Sequence, residues 1–317
     1  RQMCIRDSYS RGVRNFVVEA IPENWDMLYP QSNFLEVSKT IEALQRLATC
    51  HRAEFHVPVI GITGSNGKTV VKEWLYQLLS PNKVVTRSPR SYNSQIGVPL
   101  SVWLLNEQTE VGVFEAGISE RGEMKALREI IQPTIGVFTS LGEAHQENFA
   151  SLEEKCMEKL CLFRDTNAIV YPLDEELVVH CIKTLNYKNT ILGWSKKDSN
   201  AALFVKEIKK AELTTTITYV WQQGKEASYT IPFIDDASVE NSITSAIICL
   251  HLGVEVKTLA ERMPLLEPVA MRLEVKEGQH GCTLINDSYN SDFNSLDIAL
   301  DFMNRRPDHK GRKRTLI

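Results

Sequence analysis

The stretch VIGITGSNGKTVVKEW, Val59 to Trp74, joins an apolar run, a glycine-broken loop and a segment with helical spacing. An anion cradle needs inward-facing backbone N–H groups, glycines that let the chain close around the anion, and a helix N-terminus behind. A nucleotide cradle also needs a lysine for the β- and γ-phosphates and a hydroxyl for magnesium. Gly64, Ser65, Asn66 and Gly67 form such a loop, and Lys68 and Thr69 supply the cation and the hydroxyl. The general pattern G-x-x-x-x-G-K-[ST] would require glycine where Ile62 stands, so the match is to the shorter T-G-x-N-G-K-T. A T-G-x-x-G-K-[ST] string arises by accident in about one chain per thousand of this size. The loop is therefore expected to bind a nucleotide.

Working outward, Val70 to Leu79 reads as a helix with Val70, Val71, Trp74, Leu75, Leu78 and Leu79 inward. VGVFEAG (111–117), TIGVFTS (134–140) and NAIVYPL (167–173) read as strands, separated by helices over Glu120 to Ile131 and Leu152 to Phe163. Nearly continuous apolar strands alternating with helices imply a parallel sheet covered on both faces. Upstream, GVRNFVVEA (12–20) reads as a strand, and Val37, Ile41, Leu44 and Leu47 are spaced as one helical face. Downstream, TTTITYVW (214–221) and ASYTIPF (227–233) are β-branched and aromatic, which predicts antiparallel strands, followed by a helix over Val239 to Leu252. The prolines of MPLLEPVAMR (263–272) mark a boundary, and CTLINDSYN (282–290) opens a further α/β unit. The last residues, RKRTLI, read as the start of a strand.

The 317 residues suit two or three domains. A hydrophobic share of 43% and a charged share of 24% describe a soluble globular chain, and a net charge of −4 argues against a general nucleic-acid or membrane binder. The basic run HKGRKR (309–314) reads as a solvated loop. None of the seven cysteines stands in C-x-x-C spacing, and no secretory signal or long apolar run is present. They read as reduced thiols of a cytoplasmic protein. Residues 1–10 read as a non-native leader.

The form TGSNGKTVVKE resembles the Mur ligase superfamily, ATP-dependent amide-forming enzymes of peptidoglycan synthesis. Four further stretches carry the resemblance in order. NSQIGVP (93–99) is similar to the N-x-x-I-G-V-P element, and FEAGISERGEM (114–124) to the E-x-G-x-x-x-x-G-E strand end. GEAHQENFASLEEKCMEKLCLF (142–163) resembles the A-H-x-E-x-F-x-S-L pattern, with Lys159 eight residues after Ser151. MRLEV and NDSYNSDFNSL resemble the G-R-x-x and D-D-S-Y-N-A-N-P-x-S-M signature of the last member of that family, the most type-specific element, although Met271-Arg272 replaces Gly-Arg and SDFN replaces Ala-Asn-Pro-x. The adenine-side H-N-x-x-N element survives only as Asn241 within ENSIT.

The resemblance implies a reaction in which a carboxylate attacks the γ-phosphate of ATP and an amine then displaces phosphate from the acyl phosphate. It implies UDP-N-acetylmuramoyl-tripeptide as acceptor and D-alanyl-D-alanine as the added amine. By residue, it implies that Lys68 neutralises phosphate, that Thr69 and Glu115 hold one Mg²⁺, and that His145 holds a second. Lys159 would be carbamylated to an anion that positions the second ion. Asn241, Arg272 and Asp287 would contact ATP, and Asn93 would neighbour the substrate or the γ-phosphate. Tyr289 and Asn290 are further candidate contacts. Bringing two anions together calls for concentrated positive charge more than for acid–base groups.

The expected architecture is a central P-loop parallel-sheet ATPase domain at residues 56–265. Before it lies a partial N-terminal UDP-sugar-binding domain, 11–55, and after it the start of a C-terminal Rossmann-like ligase domain, 266–317. Both ends are expected to be truncated, which leaves room downstream for the alanine racemase fused to such ligases in some lineages. Residues 1–317 alone are expected to bind nucleotide weakly and to ligate nothing. Two rival readings stay open: another amino-acid ligase of the superfamily, including the folylpolyglutamate type, and a non-catalytic nucleotide-binding module. The former would bring a different acceptor, and the latter has no use for His145 or Lys159.

Overall fold

The computed structural model describes residues 2–142, 148–270, 272, 274–279, 282–288, 296, 299–300, 302–304 and 315. The N-terminal segment comprises α1 (Gln2–Ser10), β1 (Asn15–Val18), α2 (Trp25–Leu28), β2 (Asn33–Glu36) and α3 (Thr40–Ala53). β1 and β2 pair in parallel. Residues 2–10, expected only as a leader, form a helix whose Tyr9 ring meets Tyr29 edge-on at 5.4 Å.

Alternation then builds the main sheet: β3 (Val59–Thr63), α4 (Lys68–Leu79), β4 (Val85–Arg87), α5 (Gly97–Val102), β5 (Val111–Glu115), α6 (Glu123–Ile131), β6 (Ile135–Phe138), α7 (Leu152–Leu160), β7 (Ala168–Val170), α8 (Glu176–Leu185) and β8 (Thr190–Ile191). All six strands are parallel, in the order β4-β5-β3-β6-β7-β8. The fold is α/β with a central parallel sheet. Because successive side chains point to opposite faces, each strand feeds two cores. Ile60, Ile62, Val113, Val137 and Val170 join one with Trp74 and Leu75 of α4, whereas Val59, Phe114, Phe138 and Ile169 join the other with α5, α6 and α7.

The first of those cores is closed by a second sheet and two helices: β9 (Trp194–Ser195), β10 (Leu203–Lys210), β11 (Thr215–Trp221), β12 (Glu226–Ile231), α9 (Asp236–His251) and α10 (Val256–Arg262). β10, β11 and β12 are antiparallel, as their β-branched sequences predict. Leu266 also packs into this core, and Trp74 Nε1 donates to the Glu267 carbonyl at 3.1 Å, so the proline-marked connection lies against the P-loop helix. Beyond it, β13 (Glu274–Glu277) and β14 (Thr283–Asn286) pair antiparallel. Among the described residues no helix is long and apolar enough to cross a membrane.

Two local expectations are corrected. α6 starts at Glu123 rather than Glu120, because Glu123 Oε2 accepts the Ser119 and Glu120 N–H groups and holds that turn outside the helix. In α3 the apolar spacing located the helix but not its buried face. Ile41 and Leu47 are exposed, while Ala48 and Arg52 are buried, since Arg52 donates to the Ile131 and Gln132 carbonyls at the end of α6.

Candidate active site

The glycine loop joins the C-terminal end of β3, the strand between β5 and β6, to the N-terminus of α4. Crevices beyond the carboxyl ends of parallel strands, where the strand order reverses, are the usual ligand sites of such sheets. Gly64 has φ +143° and Gly67 has φ +85°, both in the half of backbone space that favours glycine. A Cβ on Gly64 would sit 2.1 Å from Thr139 Oγ1, and one on Gly67 would sit 2.4 Å from Asn241 Oδ1. The loop is anchored from β6 onward: Ser65 N–H donates to the Ser140 carbonyl at 2.8 Å, and Ser65 Oγ pairs with both backbone groups of Gly142. Asn66 N–H reaches Ser140 Oγ at 3.2 Å. The first-turn N–H groups of α4 have no intrahelical partner and carry the positive end of the helix dipole.

Lys68 Nζ curls back to donate to the Gly64 and Ser65 carbonyls at 2.8 and 3.0 Å. Lys159, buried on α7, donates to the same Gly64 carbonyl at 3.2 Å. Lys155, one turn earlier and also buried, donates to the Gly142 carbonyl at 2.5 Å. Two ammonium groups thus share the Gly64 carbonyl, and a third lies on Gly142, which pairs with Ser65 of the loop. Desolvation pushes Lys68 down to about 8; the Glu115 carboxylate opposes this, and Arg272 and Lys155 add to it. Desolvation, then the charges of Lys68 and Lys155, hold Lys159 well below the ordinary lysine range.

Glu115 ends β5 and is fully buried. Its Oε2 accepts the Thr69 hydroxyl at 3.2 Å, and Thr69 Oγ1 also lies 3.2 Å from Ser91 Oγ. Lys72 Nζ lies 3.0 Å from Glu115 Oε1, an ion pair outside hydrogen-bond angles.

Two clefts meet at the loop. One, of about 390 Å³, is lined by Gly64 to Thr69, Asn93, Gln95, Lys159 and Arg272. The other, of about 290 Å³, is more apolar and is walled by Trp74 and Phe233, stacked at 5.0 Å, with Asn241, Arg272 and Asp287 at its polar side. The structure therefore brings together Gly64, Ser65, Asn66, Gly67, Lys68, Thr69, Glu115 and Lys159, sets Asn93 in the first cleft, and gathers Asn241, Arg272 and Asp287 in the second. His145, Tyr289 and Asn290 lie outside the described residues.

Sequence reading missed Lys72 and the apolar wall of Trp74 and Phe233, and assigned no role to Lys155. A signal for Lys72 was present. It lies three and seven residues before Leu75 and Leu79, on the inward stripe of α4, where a lysine needs a buried partner. Nothing local pairs Phe233 with Trp74, because they are brought together across the two sheets.

A polyphosphate with a hard cation fits this geometry: a cradle any Cβ would fill, a buried carboxylate with one oxygen free of hydrogen bonds, a neighbouring hydroxyl, and a ring of cations. Comparison with known proteins identifies the family. A family model described as the Mur ligase middle domain matches residues 62–249. The UDP-N-acetylmuramoyl-tripeptide–D-alanyl-D-alanine ligase of Bacillus subtilis is 29% identical over 269 residues, covering 83% of this chain and 56% of that protein. The chain thus spans little more than half the length of that relative. Among solved structures, MurF from Acinetobacter baumannii superposes with a TM-score of 0.85 at 22% identity, covering 95% of this chain and 65% of the other. MurF ligase from Thermotoga maritima in complex with ADP gives 0.80 at 23% identity, with coverages of 96% and 69%.

Proposed function

Since this chain belongs to the Mur ligase family, we propose that it is an ATP-dependent, ADP-forming ligase that joins D-alanyl-D-alanine to UDP-N-acetylmuramoyl-tripeptide, in the cytoplasmic stage of peptidoglycan synthesis. The observation that carries the reading is the convergence of Lys68 and Lys159 on the Gly64 carbonyl, with Thr69 and Glu115 paired at the start of the same helix. That combination favours a phosphoryl-transfer site over a passive nucleotide module, which would have no need of a second buried lysine at the phosphate end.

In the proposed reaction the acceptor's terminal carboxylate oxygen bonds to the γ-phosphorus as the bond to ADP breaks. The amine of D-alanyl-D-alanine then bonds to the acyl carbon, phosphate leaves with the C–O electrons, and the amine proton passes to solvent. Lys68 and the α4 N-terminus hold the transferring phosphoryl group and offset its charge. Asn93, from the loop after β4, faces the same cleft and orients the incoming carboxylate. Trp74 and Phe233 form an apolar wall for the adenine, with Asn241 beside the loop. Arg272 reaches the phosphates from the last segment, and Asp287 the nucleotide's polar side.

Thr69 and Glu115 would hold one Mg²⁺, and His145 with a carbamylated Lys159 a second; these ions supply charge neutralisation where two anions meet. Lys159 is suited to take up CO₂, because its burial among cations favours the neutral amine.

The test uses the full-length protein with ATP, the acceptor and one amine at a time. ADP formation should depend on D-alanyl-D-alanine. Dependence on diaminopimelate, lysine or glutamate instead would replace the assignment with another ligase of the family.

A further inference from the structure

We propose that Lys72 is a positioning residue that fixes the Glu115 carboxylate beside Thr69, and the 88–93 loop beside the cleft, so that nucleotide and divalent cation bind cooperatively. The proposal rests on the metal–nucleotide reading of the loop given above.

Lys72 is fully buried and lines neither cleft, so it touches no substrate. Its ammonium meets three oxygens from three elements. Glu115 Oε1, at the end of β5, and Glu73 Oε1, on α4, lie 3.0 Å away, and the Arg90 carbonyl, in the loop after β4, accepts a hydrogen bond. The Arg90 contact is a hydrogen bond, and the two carboxylate oxygens meet the ammonium as ion pairs. With one carboxylate oxygen held by Lys72, the other is directed to the Thr69 hydroxyl.

The same cation disciplines the loop. Arg90 adopts φ +49°, a left-handed conformation unfavourable for a residue with a side chain, and its carbonyl is turned onto Lys72. The next residue, Ser91, contacts Thr69 Oγ1, and Asn93 lines the first cleft. Ser88 Oγ accepts the Glu115 N–H at 3.2 Å, closing the connection between loop and strand end. Behind Lys72, Glu73 also accepts from Arg87 Nε at 3.0 Å, and the Arg87 guanidinium lies over the Tyr76 ring.

A buried ion pair adds little stability over an apolar replacement, so stability is a poor reason for this one. Geometry is a better one. α4 delivers two lysines four residues apart on one face: Lys68 to the phosphate cradle, and Lys72 to the carboxylate behind it.

The experiment measures ADP affinity of residues 1–317 by calorimetry, with Mg²⁺ and with a chelator, and takes the ratio as the metal enhancement. In Lys72→Met the metal-free affinity should stay within about twofold of the parent, whereas the enhancement should fall about 10- to 100-fold, as for other residues that orient a metal ligand. In a Glu115→Gln background, Lys72→Met should change the enhancement less than about twofold, because its effect passes through that carboxylate. An unchanged enhancement overturns the proposal, as does additivity with Glu115→Gln. A larger enhancement overturns it too, since Lys72 would then be competing with the cation. Lys72→Gln, which keeps a donor for the Arg90 carbonyl but no charge, is read on the same scale if Lys72→Met gives no cooperative melt. Absence of ADP binding by the parent chain under both conditions would instead bring down the nucleotide reading itself.

Discussion

At the scale of single residues, Lys68 shows how burial sets chemistry. Its folded value of about 8 lies below the ordinary 10.5, so the folded, nucleotide-free protein disfavours the charged form. The resulting penalty is present in full below about pH 8 and is relieved as the pH rises from 8 towards 10.5, where the unfolded chain holds the extra proton. Phosphates supply the missing counter-charge and raise the value again. Nucleotide binding should therefore take up a proton in that window, and affinity should fall as the pH rises through it. Calorimetry at about pH 9 in two buffers of different ionisation heat should show uptake that Lys68→Met removes. Uptake unaffected by that substitution would mean the ammonium does not face the phosphates. Gly64 and Gly67 were legible from the loop pattern, and their positive φ values give the reason for it. Lys72 was not singled out, because its carboxylate partner stands 43 positions later and pairs with it only once β5 lies beside β3.

At the scale of elements, the register of α7 separates Lys155 from Lys159, which the sequence located by its spacing of eight from Ser151. Ser151 caps the helix by accepting the Glu154 N–H, and from there Lys155 and Lys159 fall on one buried face, a turn apart. Lys155 is directed to Gly142, while Lys159 reaches Gly64 and lines the cleft. Lys159→Ala should lower turnover of the full-length protein by roughly 10²- to 10³-fold and recover partly with short carboxylates that replace the carbamate. Lys155→Ala should show no such recovery. Rescue of Lys155→Ala, or of neither, would remove the carbamate from Lys159. Periodicity placed the apolar faces of α4 and α7 well but failed for α3. Ile41 and Leu47 remain exposed there because the helix turns Ala48 and Arg52 towards the end of α6.

At the scale of the whole molecule, the site exists because four segments far apart in sequence meet at one strand end. β3 and α4 provide the cradle, β5 and α7 the carboxylate and the second lysine, and the segment after α10 brings Arg272 to both clefts. Arg272→Ala should weaken nucleotide binding about 10- to 100-fold, the scale of one lost charge-assisted hydrogen bond, and a titration with ADP or ATP measures it. Affinity within twofold of the parent would show that the last segment does not serve the phosphates.

Composition, the alternation of apolar strands with helices, and the glycine loop were enough to specify a parallel α/β sheet with a phosphate cradle at one strand end. Those features are local or periodic, so the backbone conformations they demand are written in neighbouring residues. Which charges share a partner was decided only by the tertiary structure. The pairing of Lys72 with Glu115, the crowding of Lys155 and Lys159 beneath the loop, and the Trp74–Phe233 wall all depend on strand order and on which face of the sheet each helix covers. Buried charge is stable only beside its complement, and the carboxylate that meets buried Lys72 at the strand end, Glu115, comes from a distant stretch of chain.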